Sequence, residues 1–337
     1  MGPVRKHYDQ FKALLHFLET KSPSLIWSEG FGDWCNPNDN TWPTTFGSVE
    51  VVNTCLFYYF ARMTAEFAAL LGRTEDEAWC RDLAGRIQAA FLAADYEPES
   101  GCVKTGRQTE QLMPLYVGIM PTDQEQRVTD ALQKRIQADG ALDTGGYGTM
   151  VLLPVLAKYG LIETFDRLMQ NPAYPGFGWQ IANGATSLWE QWAYEGIMHS
   201  HNHIFIAGID AFFYQVLAGI SPTLPGFREF KIRPVLPRSM TFVRSQVRTV
   251  SGLIEFDLEK ISQGVATRLT VPPNTRCALH LPVVDETVDY VLFDGERLLD
   301  LSLYETVRAC GIKYIQIPVG GGIYQYRLVP RQYIYQL

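Results

Sequence analysis

Hydrophobic residues along the first two thirds of the chain recur at steps of three and four. Tyr8, Phe11, Leu14, Leu15 and Leu18 make one apolar face, as an amphipathic helix requires. Ser48 stands where it would cap a long helix that Gly72 stops. Thr74 with Glu77, and Thr122 with Glu125, have capping-box spacing for helices reaching about Asp95 and Gly140. Further helices are expected at 108–119, 148–159, 161–170 and 202–219. With short connections between them, they read as successive helical hairpins.

At residue 221 the period changes. The segment SPTLPGF carries two prolines, and Pro234 and Pro237 follow. Beyond it Ile254, Phe256 and Leu258 face one way while Glu255, Asp257 and Glu259 face the other. Val265, Thr267, Leu269 and Val271 repeat that alternation, as do Tyr324, Tyr326 and Leu328. Asp294-Gly295 and Gly320–Gly322 supply turns. The expectation is therefore two domains: a helical one over 1–220 and an antiparallel β-sandwich over 221–337.

Composition narrows the class. The chain has 337 residues, 47% hydrophobic, 19% charged and 12% aromatic, which excludes intrinsic disorder. It has no apolar run of membrane-helix length, and the start MGPVRKHYDQ has no signal-type stretch, so a cytoplasmic location is expected. The net charge is −7, yet residues 221–337 hold 14 Lys and Arg against 11 Asp and Glu. All of the negative excess thus lies in the helical part. An acidic helical part without a basic stripe argues against nucleic acid and anionic membranes as partners. The six cysteines form no C-x-x-C pair and read as reduced thiols.

Candidate chemistry gathers in three places. All seven tryptophans precede residue 193, and Trp79 alone sits inside a helical pattern, as a core residue would. Trp27, Trp34 and Trp42 cluster near WSEGFGDWCNPND, where Asp33 is read either as a functional acid or as an ordinary turn aspartate. Trp179, Trp189 and Trp192 surround Glu190 in YPGFGWQIANGATSLWEQW, with Thr186 or Ser187 expected to cap a short helix there. Indole rings offer flat apolar faces and one N–H donor, which suits a sugar, although packing explains any single tryptophan equally well. A carboxyl among rings loses hydration and becomes a proton-transfer group, so Glu190 is favoured over the more solvent-facing Glu195. His199, His201 and His203 invite a metal reading, but no ligand-spaced Cys, Asp or Glu accompanies them. His203 beside Asn202 reads better as a hydrogen-bonding pair aimed at hydroxyls. No phosphate loop, dinucleotide fingerprint or nucleophile elbow occurs, so no cofactor is expected.

In order along the chain stand Gly30-Phe-Gly-Asp33-Trp34, Thr144-Gly-Gly-Tyr-Gly-Thr149, Tyr174-Pro175…Gly178-Trp179, Gly184-Ala-Thr-Ser-Leu-Trp-Glu190-Gln-Trp192 and Asn202-His203. Together they resemble the bacterial α-L-rhamnosidases of glycoside hydrolase family 78. The resemblance implies an (α/α)6 toroid followed by a β-sandwich, and metal-free, inverting hydrolysis of terminal α-L-rhamnosides. It implies that Glu190 is the general base and that Trp34, Trp179 and His203 line the rhamnose site, with Asp33, Trp189 and Trp192 beside them. The family's general acid lies in an Asp-Glu-Arg…Gly-Trp segment that this sequence does not contain. Fewer helices are countable here than six hairpins need, so the expected fold is an incomplete toroid of helical hairpins. An open toroid would leave Phe11, Leu14 and Leu18 exposed and favour self-association or an upstream fragment as partner. Two other readings stay open: a non-catalytic rhamnoside-binding or remnant protein, and a different α/α-toroid glycosidase.

Overall fold

A computed structural model describes every residue except 1, 38–45, 196–199, 205, 262–263 and 337, and only the backbone of 46, 335 and 336. Trp42 and His199, singled out above, and Asp39 of the WSEGFGDWCNPND segment lie outside the described residues. By internal contacts the chain divides into two units, Met1–Val155 with Leu168–Ala207, and Leu156–Arg167 with Gly208–Leu337.

Helix α1 (Gly2–Lys21) is followed by a short ladder of β1 (Asp33–Trp34) and β2 (Phe46–Gly47). Then come α2 (Val49–Leu71) and α3 (Thr74–Asp95), the hairpin β3 (Tyr96–Glu97) and β4 (Cys102–Val103), α4 (Gln108–Val117) and α5 (Glu125–Asp139). Next are α6 (Gly146–Lys158), α7 (Ile162–Gln170), α8 (Phe177–Ala182) and α9 (Gly208–Phe212), which continues into a π-helical turn at Phe213–Leu217. Helix α2 packs on α1, α3 and α4, and α4 on α5.

Gly72 ends α2 at φ 71°, its N–H bonded to Ala69, and Gly140 ends α5 at φ 65°. Ser48 stands at the N-cap of α2 without a side-chain capping bond, and Thr74 and Thr122 do not stand at N-caps. Ser48 has φ 52° and turns its hydroxyl to Glu110 at 3.2 Å, while α3 starts at Thr74 itself and α5 at Glu125. Acidic side chains in the first turn of α3 (Glu75, Asp76, Glu77) complement its N-terminal dipole instead. Trp79 is half-buried, stacked on His16 with ring centroids 4.0 Å apart, and is not in the core. On α1, Tyr8 and Leu15 are buried and Phe11 lies between Phe60 and Phe67. Leu14 and Phe17 are 45% and 52% exposed, and Leu14 and Leu18 line a hollow of about 400 Å³ with Trp27 and Phe31.

The second unit holds two sheets. Five strands run in the order β13 (Glu305–Ala309), β14 (Ile312–Val319), β10 (Arg276–Pro282), β6 (Glu229–Ile232), β5 (Ile220–Pro222). Six run β12 (Arg297–Leu299), β11 (Tyr290–Asp294), β15 (Gly322–Pro330), β9 (Gly264–Val271), β8 (Gly252–Ile261), β7 (Phe242–Thr249). Every pairing is antiparallel except β6 with β10, where Phe230 stands opposite Cys277. Ile254, Phe256, Leu258, Val265 and Leu269 from one sheet meet Ile232, Leu279, Leu281 and Ile317 from the other in one core. The two-residue period dictates that inward face, since each strand sends alternate side chains to it.

His280 on β10 is buried, with Nδ1 3.0 Å from the Ala278 carbonyl and the Tyr314 ring edge-on beside it. Burial, with Arg233 nearby, holds its pKa below the usual 6.5. The unfolded chain therefore binds a proton that the folded sheet refuses. This contribution to stability is complete above pH 6.5 and is lost as pH falls through the depressed value. Urea midpoints measured from about pH 7.5 to 5 should fall. In His280→Gln the slope should flatten, and an unchanged slope would refute the assignment.

Candidate active site

Asp33 is the first surprise. Its carboxyl is wholly buried and accepts the Thr109 hydroxyl and Gly145 N–H (2.7 Å) on Oδ2, and Gly148 N–H (2.9 Å) on Oδ1. Gly145 immediately precedes α6 and Gly148 lies in its first turn, so Asp33 caps from a distance a helix start whose amides need an acceptor. Burial pushes its pKa up, against the pull of Gly148, Thr109, Gly145 and Asn36. Gly32 of the first motif and Gly145 of the second are sterically required. A Cβ on Gly145 would lie 2.1 Å from the Trp34 carbonyl oxygen, and one on Gly32 2.4 Å from that of Gly47. Gly145→Ala should therefore displace the Trp34 backbone and cost about 1–3 kcal/mol as overpacking. A melting temperature within error of the parent would contradict that reading.

Three residues that sequence reasoning missed complete this floor. The Arg107 guanidinium grips Asp143 through Nε (3.2 Å) and Nη2 (3.0 Å), and Nη2 also reaches Asn36 Oδ1 (2.6 Å). Asn36 returns a donor to the Asp143 carbonyl at 3.2 Å. The residues are 107 positions apart at the extremes, and no local motif announces them. Glu110 is buried too, its Oε2 accepting from Thr105 N–H and hydroxyl and from Arg107 N–H.

Glu190 sits where residues 188–190 run alongside 200–203. Its N–H donates to the Ser200 carbonyl (2.9 Å), the Ser200 N–H donates to Glu190 Oε2 (3.0 Å), and His203 N–H donates to Leu188 (2.9 Å). The backbone at 200–203 is thereby committed, so the helix expected from 202 starts only at Gly208. Ser187 caps no helix either: its hydroxyl donates to the His201 carbonyl. Glu190 is half-buried, and no hydrogen bond reaches its Oε1 among the described residues. Burial, with the Glu190 and Asp33 carboxylates nearby, pushes the Cys35 thiol up to about 12. One thiol that feels both charges ties the Asp33-Trp34 loop to the Glu190 segment.

Around them the aromatic side chains form a chain of edge contacts. Trp179 meets Tyr174 at 5.1 Å and Trp189 at 6.1 Å, and Trp189 meets Tyr194 at 5.2 Å. Tyr194, 54% exposed, stacks on His201. Trp192 is buried against Phe177 and donates from Nε1 to the Thr144 carbonyl at 2.6 Å. Trp34 packs on the exposed Phe31. Thus Glu190, Trp34, Trp179 and His203 keep partial access to solvent, while Asp33, Trp189 and Trp192 offer a ligand no surface and act as support. Among the described residues no group of three His, Cys, Asp or Glu is placed to hold a metal.

The pattern for the bacterial alpha-L-rhamnosidase 6 hairpin glycosidase domain matches residues 2–217. The chain belongs to that family. The family's C-terminal domain matches residues 219–290. An alpha-L-rhamnosidase of Streptomyces avermitilis is 32% identical over 282 residues, 80% of this chain and 26% of its own length. One from Formosa agariphila is 29% identical over 297 residues, 84% of this chain and 32% of its own. The alpha-L-rhamnosidase structure from Dictyoglumus thermophilum superposes with a TM-score of 0.85 at 30% identity, covering 97% of this chain and 37% of that one. That of the Streptomyces enzyme, complexed with L-rhamnose, gives 0.81 at 28% identity, covering 96% and 30%. The chain thus spans about a third of the length of the rhamnosidases it matches. No helix among the described residues is long and apolar enough to cross a membrane.

Proposed function

We propose that this chain supplies the general base and the sugar-facing aromatic side chains of an inverting α-L-rhamnosidase. The observation that carries the reading is the setting of Glu190. Ser200 N–H holds Oε2, and Oε1 stays open to a water, inside the segment that carries the family resemblance. A base held in one direction by an amide donor removes a proton from water as that water attacks the anomeric carbon. Attack from the face opposite the leaving oxygen inverts the centre, and the water needs a gap of ~6.5–9.5 Å between base and acid. Trp34 and Trp179 then serve as apolar faces for the sugar ring, and His203 as a partner for its hydroxyls. The acidic balance of the helical part suits the positive charge that develops on the ring.

The leaving-group proton is not assigned to Asp33 or Glu110, since both are buried and engaged by several donors. That same observation favours a second reading, rhamnoside binding without turnover. Calorimetry with L-rhamnose beside an assay of aryl α-L-rhamnoside cleavage separates the two. Heat without cleavage supports the second reading, and the absence of both removes both. Where cleavage occurs, proton NMR should show β-L-rhamnose as the first anomer released. The α anomer first would overturn inversion. Cleavage of another aryl glycoside in preference would indicate a different toroid glycosidase.

A further inference from the structure

The outer face of the six-stranded sheet carries a trough that the rhamnosidase reading does not use. Across it the register aligns Arg244 with Asp257, Asp257 with Arg268, and Arg268 with Gln325. The neighbouring row aligns Phe242, Glu259, Ala266 and Arg327. Ala266 is the short side chain of that row, so its position forms the floor between a carboxylate and a guanidinium. The β11–β12 turn walls one end, held by Gly295 N–H on the Gln325 carbonyl (2.8 Å) and Arg327 Nη2 on the Gly295 carbonyl (3.1 Å). The hollow measures about 520 Å³. It shares Arg244 and Asp257 with a second hollow of about 870 Å³, which runs along the free edge of β7 to Phe213 and Tyr214. These two rings lie in the π-helical turn, a departure from α geometry that recurs at functional sites.

The lining says what would fit. In the first hollow three guanidinium groups (Arg244, Arg268, Arg327) face three carboxylates (Asp257, Glu259, Glu296), and the second adds Asp210 as its only further charge, so the lining lies near charge balance and suits a neutral ligand. A phosphate or a cation would need one sign in excess. Forked donors and forked acceptors alternate from strand to strand at about 4.8 Å, as a run of hydroxyls requires, each being donor and acceptor at once. Phe242, Phe213 and Tyr214 are 54%, 44% and 41% exposed, and such rings cover the C–H faces of sugars. A peptide strand added to the β7 edge is the competing occupant, but Arg244 and Arg248 on that edge work against it.

We propose that this trough binds a neutral oligosaccharide, separately from the Glu190 site. Only the choice of a rhamnosyl probe rests on the function proposed above. The test titrates the full chain with a linear tetrasaccharide of L-rhamnose and with maltotetraose. Arg268→Ala and Ala266→Trp, at the floor, and Tyr214→Ala, at the far end, should each weaken binding by about tenfold or more. Their melting temperatures should match the parent, and Trp179→Ala, which removes a sugar-facing ring of the Glu190 site, should leave this binding as in the parent. Binding of maltotetraose alone would keep the trough and remove the rhamnoside reading. The inference is overturned by an absence of heat at millimolar sugar, by binding that all three trough variants leave intact, or by binding that Trp179→Ala abolishes.

Discussion

Glu190→Gln should lower aryl α-L-rhamnoside cleavage by about 10²–10⁴-fold, the usual contribution of a positioned base. The amide keeps the shape of the carboxyl and still offers an oxygen to Ser200 N–H, so the local backbone ladder should survive. The loss should therefore fall on kcat, with the melting temperature unchanged and L-rhamnose still bound. Restoration of activity by a small external nucleophile such as azide, with a product of inverted configuration, would be the positive sign that only the activation of water is missing. A variant retaining more than a tenth of the parent kcat would sink the assignment of Glu190.

The second large effect concerns stability. Asp33→Ala should leave the Thr109 hydroxyl and the amides of Gly145 and Gly148 without their acceptor, all in the interior. Each unsatisfied buried donor costs about 1–3 kcal/mol, so a total of roughly 3–5 kcal/mol is expected after some relaxation. For a unit of this size that corresponds to a fall of about 6–20 °C in melting temperature. Asp33→Asn should be nearly as harmful, because its NH2 group points a donor at donors. Differential scanning calorimetry decides it: a shift under about 2 °C for both variants would mean that water replaces the carboxylate, and the clamp is then not what holds α6.

Much of the architecture is legible in the amino-acid order, and the reason is periodicity. Gly72 and Gly140 end their helices because only a left-handed residue closes those turns, and Ile254, Phe256 and Leu258 point inward because a strand alternates. The caps mislead because Ser48, Thr74 and Thr122 look like caps locally, while Ser48 has a distant claim on its hydroxyl from Glu110. The same asymmetry governs the site. Glu190 stands out from neighbouring rings in one short segment. The burial of Asp33, Trp189 and Trp192, and the Arg107–Asp143–Asn36 grip, depend on residues far away in sequence, which no window contains. The short helix expected after Thr186 fails for a related reason: Ser200 and His203 take the backbone bonds it would have made.

The Asp33 clamp joins two motifs that stand 112 and 115 positions apart, and Gly145 and Gly148 have no room for any side chain at the join. The G-F-G-D-W loop and the T-G-G-Y-G-T turn are in effect one part delivered in two instalments. Anyone recombining this chain with a relative should inherit both segments from the same parent. A crossover between residues 34 and 143 that mixes parents would ask a loop to meet a helix start shaped for another partner.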